Sequence, residues 1–408
     1  MPQTREIIRK ESTEGVGYSV VDLNGTGHVF ASAMPREGET IEDQAHDALQ
    51  TIRAVMEEES THGSIVKQAV FLKDIAQTET CRQLMKEFYG EQLPATAYIP
   101  QPPCEGKLLT IEAFGVGRGQ GNVEIGRLSE RTVLTRHDGM TWVHLANIRS
   151  EIESPRVYDR AADAFQQMSR GLAARGFRYD QVIRTWLYLG DIVGWEEDTQ
   201  RYKELNRART DFYRDMQFGG NHAPVDLGHR VYPASTGIGS EGNDVIMSCI
   251  ALATERNDVQ LTPLENPLQT SAFDYGEAYS PKSPKFCRAM AIAVGDFATT
   301  FVSGTASITQ SETQYVGDIE GQTWQTLDNI GALISEFNLR RHGLPGFGAT
   351  LDDLALVRVY VKRQEDYKIA KDVCECRLGE LPIVYAVADV CRPELLVEIE
   401  GMAFSRRI

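Results

Sequence analysis

The sequence predicts an α+β fold in which one structural unit occurs three times along the chain. Three observations lead to this prediction. Amphipathic helical patterns, with apolar residues three and four positions apart, begin at Ile41, Val157 and Ile319. An aliphatic and aromatic strand follows each pattern, and a second apolar strand closes each unit. The inferred order of elements is β-β-α-β-α-β-β, which places the helices on one face of a sheet.

The elements of the three units correspond in order. A hairpin opens the first unit, because Asn24-Gly25 between two apolar runs is a strong type I′ turn signal. Met140–Ile148 and Phe286–Val294 have the opening role in the other two units. A central strand follows in each unit, at 70–75, 186–192 and 357–363. A second helix comes next, near 77–90, 195–216 and 365–378. The closing strands are Leu108–Val116, Asp244–Ala253 and Leu395–Phe404.

Linker-like stretches divide the chain into three modules. Gly115–Gly121 is rich in glycine, and Asn257–Thr270 contains two prolines. We therefore expect modules at 1–116, 117–255 and 256–408. Because both faces of each sheet are largely apolar, we expect the three sheets to pack inside with their helices outside. This arrangement is an intramolecular pseudo-trimer, for which a monomer is the expected oligomeric state.

The composition limits the possible classes of function. A formal net charge of −16 argues against a nucleic-acid partner, which would require a basic face. No run approaches the ~18 apolar residues of a membrane span, and the N-terminus lacks the pattern of a secretory signal. The seven cysteines are scattered and complete no zinc set. We expect a cytoplasmic protein with reduced thiols and without a metal ion.

The final strand carries the first candidate site. Along Leu395–Met402, residues of one face alternate with Glu398 and Glu400 on the other. Two interpretations stay open at this point. A solvent-facing sheet edge would explain both carboxylates, whereas a half-buried cleft would raise a carboxyl pKa and provide a general acid. Glu400 has an acidic counterpart in the first module, Glu112, and is interpreted as structural.

Short sequence words then reveal a family resemblance. The helix at Gly317–Ile330 is preceded by Val302-Ser303-Gly304 and followed by Val357–Val361 and Val397-Glu398-Ile399-Glu400. With these residues the third module resembles the Rid (YjgF-like) family, and the first module is similar to it in layout with fewer motif residues. Residues 130–408 resemble the chorismatases more closely, through seven words in the correct order: Arg184-Thr185-Trp186, Ala234-Ser235-Thr236-Gly237-Ile238-Gly239, Glu265-Asn266-Pro267, Tyr279-Ser280-Pro281-Lys282-Ser283-Pro284, Phe286-Cys287-Arg288-Ala289, Leu339-Arg340-Arg341-His342-Gly343 and Leu395-Leu396-Val397-Glu398-Ile399-Glu400-Gly401-Met402.

The resemblance implies hydrolysis of the enolpyruvyl ether of chorismate or a close analogue. The products would be pyruvate and either a cyclohexadiene-diol acid or a hydroxybenzoate, without a cofactor. Glu398 would be the acid that protonates the enol ether, and Arg288 would bind a substrate carboxylate. Tyr279 would complete the clamp from a loop bounded by prolines, with Tyr275 as a further candidate. A small anionic substrate is the expected partner.

Other residues are weaker candidates for substrate binding. Thr236, Gly237 and Gly239 lie in a glycine-rich stretch that is interpreted as a loop at the pocket wall. Arg358 either adds positive charge to the cleft or faces solvent, and Lys371 is a candidate for the second carboxylate. Two alternatives remain. One is a Rid-type enamine or imine deaminase, although the arginine of that pattern is absent; the other is a non-catalytic ligand-binding protein.

Overall fold

A computed structural model of the chain describes residues 7–59, 64–117, 122–224, 229–274 and 283–408. Three six-stranded sheets, two short two-stranded ribbons and seven α-helices are found in these ranges. The three large sheets have the same topology, with five strand contacts in the same order in each.

The first sheet uses elements from the N-terminal part of the chain. Its strands run in the order β1-β2-β3-β6-β4-β5, and only the edge pair β4–β5 is parallel. Thr40 begins α1 because its hydroxyl accepts a hydrogen bond from the Asp43 amide in a capping box. The elements are β1 (Ile8–Thr13), β2 (Val16–Leu23), β3 (Thr26–Ala33), α1 (Ile41–Glu58), β4 (Ile65–Leu72), α2 (Thr78–Tyr89), β5 (Ala95–Ile99) and β6 (Leu109–Val116).

The second sheet repeats this order as β7-β8-β9-β14-β10-β13, with β10 and β13 parallel. Its central strand β10 is buried along its whole length, which suits a run of aliphatic and aromatic residues covered on both faces. The elements are β7 (Glu124–Ser129), β8 (Thr132–His137), β9 (Met140–Arg149), α3 (Val157–Ala173), β10 (Val182–Gly190), the ribbon β11 (Trp195–Glu196) and β12 (Thr199–Gln200), α4 (Arg201–Phe212), β13 (Ala234–Ser240) and β14 (Val245–Thr254).

The third sheet has the order β15-β16-β17-β22-β20-β21, with β20 and β21 parallel. Its helix α5 is followed directly by the short α6, which Ser335 begins by accepting a hydrogen bond from the Asn338 amide. The elements are β15 (Val259–Leu264), β16 (Ala289–Val294), β17 (Phe297–Ala306), the ribbon β18 (Ile308–Thr309) and β19 (Glu312–Thr313), α5 (Ile319–Ile334), α6 (Glu336–Arg341), β20 (Leu354–Val361), α7 (Tyr367–Leu378), β21 (Ile383–Val387) and β22 (Val397–Arg406).

Each sheet buries one face against its own helices and the other face against the other sheets. Three apolar clusters fill the spaces between a sheet and its helices. A fourth cluster combines residues of all three sheets, including Phe71, Trp186 and Tyr360. The expectation that both sheet faces are buried is therefore confirmed. Among the helices of the described ranges, none is long and apolar enough to cross a bilayer.

Two sequence expectations about the elements are wrong. Each module begins with one strand more than predicted, namely β1, β7 or β15, so the order is β-β-β-α-β-α-β-β. The second error concerns Asn257–Thr270, which was expected to be a linker but contains β15. Pro263 is tolerated there because β15 is the edge strand of its sheet.

Candidate active site

A cavity of about 270 Å³ opens between the second and the third sheet. The final strand β22 provides Glu398 on one side, and helix α4 provides Tyr202, Asn206 and Arg209 on the opposite side. The edge strand β13 adds Ser235 and Gly237 to the wall, and the segment before β16 adds Pro284, Phe286 and Arg288. The end of β17 adds Gly304 and Ala306, and the segment before β22 adds Cys391, Arg392, Pro393 and Glu394.

Glu398 lies at the base of this cavity and is 5% exposed. Its register partners are Ala306 on β17 and Tyr360 on β20, so the residue is central in the sheet. Gly304 makes room for the carboxyl group, since a methyl group at that position would overlap Oε1 of Glu398. No described side chain or amide forms a hydrogen bond with the carboxyl group of Glu398.

This environment favours the neutral carboxylic acid. Burial, followed by the neighbouring negative charge of Glu400, raises the pKa of Glu398 to about 8, although the positive charges of Arg184 and Arg288 act in the opposite direction. Desolvation penalises the charged form of a carboxyl group that has no hydrogen-bond donors. Glu398 therefore carries a proton at neutral pH and can transfer it to a bound molecule.

Two guanidinium groups lie in the same cavity, both close to the ring of Phe286. The Cζ atoms of Arg209 and Arg288 are both 5.5 Å from the centre of the Phe286 ring. Both arginines are almost fully buried, at 1% and 4% exposure. Arg392 and Lys203 add positive charge at the cavity wall, whereas Glu394 is the second acid that lines it.

The two arginines are held differently. Arg209 donates hydrogen bonds to Asn206 Oδ1 and, at 3.3 Å, to Ser235 Oγ, and it forms no ion pair with the described residues. Arg288 donates to the Thr270 carbonyl oxygen at 2.8 Å, and its charge faces the buried carboxyl of Glu265. Arg209, a buried cation whose hydrogen bonds to the described residues are only to neutral groups, is suited to bind an anion.

The glycine-rich stretch around 234–240 is a strand rather than the expected loop. This strand, β13, pairs in parallel with β10 at the edge of the second sheet. Its glycines allow close approach: a methyl group at Gly237 would press on the Tyr202 ring at 3.0 Å, and one at Gly239 would meet the Asp389 backbone at 2.7 Å. Gly237 lines the cavity, whereas Thr236 and Gly239 do not.

Thr236 instead supports Glu400, which is the centre of a buried hydrogen-bond network. Glu400 accepts hydrogen bonds from Arg184, Thr236, Trp186, Arg358 and Tyr360. Although burial alone would raise the pKa of this carboxyl group, the charges of the two arginines and these donors hold it below its usual value. Glu400 is thus ionised next to a neutral Glu398, which fits a structural role for Glu400 and an acidic one for Glu398.

Arg358 neither lines the cavity nor faces solvent, so both expectations for it are wrong. Its Nε and Nη2 atoms each donate to a carboxylate oxygen of Glu112 at 2.6 Å, and Nη1 donates to Tyr188 and Glu400. Arg358 faces neither solvent nor the cavity, because alternation on β20 directs it toward the other sheets. It connects β20 of the third sheet to Glu112 on β6 of the first sheet.

The remaining candidates lie elsewhere. Lys371 lines a different cleft, between the first and third sheets, where it is 3.6 Å from Glu375. The expectation that Lys371 binds the same substrate as Glu398 is therefore wrong, because α7 packs on the far side of the third sheet. Tyr275 and Tyr279 are outside the described residues.

Breaking the ion pair between Glu112 and Arg358 should cost stability. The two side chains are 5% and 4% exposed. We expect Glu112→Gln to lower the free energy of unfolding by about 3–5 kcal/mol, because Arg358 would lose its bidentate partner in a buried site. Chemical denaturation measures this loss. Asp328→Asn, which breaks a surface pair with Arg377, should cost less than ~1 kcal/mol; equal losses in the two variants would contradict the assignment.

Sequence reasoning missed the contribution of helix α4. It expected the second cation in the last module, whereas the structure provides Arg209 from the second module. The spacing of Tyr202, Asn206 and Arg209, at i, i+4 and i+7, places three polar or aromatic residues on one face of α4 and is the signal that could have found them.

Within the described ranges, no group of three His, Cys, Asp or Glu residues could hold a metal ion.

Comparisons with known proteins place the chain among families with related sequences and folds. A sequence profile described as chorismatase FkbO/Hyg5-like, N-terminal, matches residues 116–253, and one described as endoribonuclease L-PSP matches residues 24–106. A 3-hydroxybenzoate synthase from Streptomyces hygroscopicus is 35% identical over 232 residues, which are 55% of this chain. The chain spans 64% of the length of that relative.

A further relative shows the family, and a solved structure shows the same fold. A chorismatase from Streptomyces hygroscopicus is 33% identical over 272 residues, which are 65% of this chain and 74% of that protein. A crystal structure of a chorismatase superposes with a TM-score of 0.64 at 24% identity and covers 84% of this chain and 93% of its own. The likeness of the structures shows a common fold, and the sequence match shows common descent. The chain therefore belongs to the chorismatase family.

Proposed function

We propose that the chain hydrolyses the enolpyruvyl ether of chorismate, or of a close analogue, to pyruvate and a cyclohexadiene-diol acid or hydroxybenzoate. One observation carries the proposal. A neutral carboxylic acid, Glu398, lines the same cavity as two buried guanidinium groups. Chorismate combines a proton-accepting vinyl ether with two carboxylates, and this cavity offers one donor for the first and cations for the second.

The chemistry begins with proton transfer from Glu398 to the methylene carbon of the enol ether. The ether carbon becomes an oxocarbenium ion, which Glu398, now a carboxylate, stabilises by its charge. Water adds to that carbon, and the resulting hemiketal breaks its bond to the ring oxygen and releases pyruvate and the ring alcohol. The proton lost by the water restores Glu398. Burial of the site limits competing solvent protons.

Arg209 and Arg288 hold the substrate in this scheme. Each guanidinium binds one carboxylate by charge-assisted hydrogen bonds, and Phe286, which lies close to both, packs on the apolar part of the substrate. Gly304 leaves room for the carboxyl group of Glu398, and Gly237 leaves room for the ring of Tyr202 at the wall of the cavity. Thr236 and Gly239 act indirectly, by holding Glu400 and by packing on the neighbouring backbone.

The test is to incubate the purified chain with chorismate and to measure pyruvate with lactate dehydrogenase and NADH. We expect pyruvate and a ring acid in equal amounts. Release of ammonia from an enamine, without action on chorismate, would instead support the deaminase alternative. Binding of chorismate without any pyruvate would contradict the proposed reaction.

The activity should depend on pH through Glu398. Its pKa of about 8 means that the active, protonated form predominates below pH 8 and is lost as the pH rises through that value. We therefore expect kcat/KM to be constant near neutrality and to fall about tenfold per pH unit above pH 8. A profile of kcat/KM from pH 6 to 10 measures this. A fall that begins near pH 5 would show that Glu398 is ionised in the free enzyme.

We further propose that the modules 1–116, 117–255 and 256–408 surround a common axis as a pseudo-trimer within one chain. The support is the identical strand order of the three sheets and the mixed cluster between them. Backbone hydrogen bonds connect the sheets in turn, from Glu241 to Pro100, from Gly239 to Asp389 and from Val387 to Pro102. Light scattering should then give the mass of a single chain of 45.5 kDa.

A further inference from the structure

A second enclosed space lies where the three sheets meet, and we call it the central chamber. It consists of two adjoining cavities of about 60 and 40 Å³, which share Phe30, Phe114, Ile250 and Met402 as lining residues. Aromatic and aliphatic side chains of all three sheets line the larger cavity. The chamber is distinct from the cavity of Glu398, with which it shares no lining residue.

The smaller cavity contains a lysine without a polar partner. Lys67 on β4 is 7% exposed, and its ammonium group forms no hydrogen bond or ion pair with the described residues. Its neighbour is the face of the Trp186 ring, whose centre is 4.2 Å from Nζ. A buried ammonium group without acceptors is costly unless an anion reaches it.

The charges around this cavity do not balance. Lys67, Arg184 and Arg358 are the lining cations, whereas Glu112 and Glu400 are the lining carboxylates, which leaves one positive charge in excess. Both carboxylates are already bound by the arginines. Arg184 also keeps a buried Nη1 without a partner among the described residues. Among the described residues, the smaller cavity thus lacks a hydrogen-bond acceptor for Lys67 and for Nη1 of Arg184, and it lacks one negative charge to balance its cations.

The larger cavity contains buried polar atoms of the same kind. His28 Nε2, Thr135 Oγ1, Trp142 Nε1 and His144 Nδ1 are buried, line the cavity and have no partner among the described residues. Burial lowers the pKa of His28 and of His144 to about 3, so both rings are neutral. The larger cavity is lined mainly by apolar side chains and these neutral groups, together with the carboxylate of Asp138, which lies 2.9 Å from Nδ1 of His137. The lining of the smaller cavity has the excess positive charge.

We propose that the central chamber binds a compact apolar monocarboxylate. The carboxylate would contact Lys67 and Nη1 of Arg184, and the apolar part would extend past Phe30 and Phe114. A cavity needs roughly 10–15 Å³ on this measure to hold one water molecule, so the smaller cavity has room for a carboxylate group and the larger one for a short branched body. This proposal is independent of the reaction at Glu398.

Binding would be linked to the protonation of Lys67. Burial and the nearby Arg358 lower the pKa of Lys67 to about 8, while Glu112 and Glu400 act in the opposite direction. The other groups that face it are Arg184 and His144. A bound carboxylate raises the pKa of Lys67, so the affinity is greatest below pH 8 and falls about tenfold per pH unit above the pKa of the free protein.

The test is isothermal titration calorimetry of the full chain at pH 7 with isobutyrate and with formate. We expect isobutyrate to bind roughly 50-fold more tightly than formate, because three additional carbons become buried. Lys67→Met should abolish this binding, whereas Lys73→Met, at an exposed position of the same module, should not change it. Thermal unfolding verifies that the variants fold, and the loss of affinity between pH 7 and 9.5 tests the same lysine in the wild-type chain.

Three results would overturn the proposal. They are equal binding of isobutyrate by the wild type and Lys67→Met, equal affinity for isobutyrate and formate, and an affinity that does not change between pH 7 and 9.5. Binding at the Glu398 cavity is recognised because it persists in Lys67→Met. Isobutyrate binding is measured without chorismate, so a chain that does not turn over chorismate could still bind isobutyrate in the chamber. The calorimetric test therefore distinguishes failure of the proposed reaction from failure of the proposed binding site.

Discussion

Replacing Glu398 by glutamine is expected to lower kcat for pyruvate release on the order of 10³-fold. Glutamine has the size of the neutral acid and keeps the cavity intact, but it cannot transfer a proton to carbon. KM should change little, because Arg209 and Arg288, rather than Glu398, hold the carboxylates of the substrate. Initial rates at saturating and at low chorismate separate the two quantities.

Stability distinguishes a catalytic from a structural role for Glu398. Because its pKa is raised, ionisation of the folded protein is unfavourable, and the stability of the wild type falls as the pH rises from the ordinary carboxyl pKa toward 8. Glutamine removes this loss, so the variant should be at least as stable as the wild type at pH 7 and more stable at pH 9. Glu255→Gln, at an exposed position, provides the control. A variant that loses stability and activity together at pH 7 would contradict the assignment.

Replacing Arg209 by methionine should lower kcat/KM about 10²–10³-fold, mainly through KM. The loss corresponds to a buried charge-assisted contact with a carboxylate, which contributes roughly 2–5 kcal/mol. A guanidinium that binds the substrate equally in the ground state and the transition state affects KM more than kcat. Steady-state kinetics with chorismate measure both.

Folding of this variant is expected to be retained. Arg209 forms no ion pair with the described residues, so its removal leaves no buried acid without a partner. The matched control is Arg207→Met on the same helix, because Arg207 is exposed and pairs with Glu204. An unchanged KM for Arg209→Met, or the same change in both variants, would exclude Arg209 from substrate binding.

Most of the architecture could be predicted from periodicity, because helical and strand patterns depend on local sequence. The helix at Ile41–Glu58 and the strand at Leu354–Val361 lie close to the predicted positions. The leading strands were missed because β1 and β7 are edge strands whose residues are largely exposed, so they show no clear apolar alternation. The strand at 234–240 was taken for a loop because its glycines are determined by tertiary contacts.

The site was less predictable than the fold. Glu398 was singled out from the alternation of residues along the final strand and from the resemblance to the chorismatases, and the structure places it in a cavity. The spacing of residues on α4 could have singled out Arg209 as a candidate, but its position beside Glu398 depends on the packing of the second sheet on the third, which brings α4 toward β22. The role of Arg358 was likewise undecided, because its partner Glu112 is 246 positions away.

The central claim is that Glu398 is a neutral acid in the free enzyme at neutral pH. Difference infrared spectroscopy between the wild type and Glu398→Gln measures the protonation of this one carboxyl group as the pH is raised. The account predicts a protonated carboxyl band that disappears with a midpoint near pH 8. A midpoint near the ordinary value of about 4.3 would contradict it.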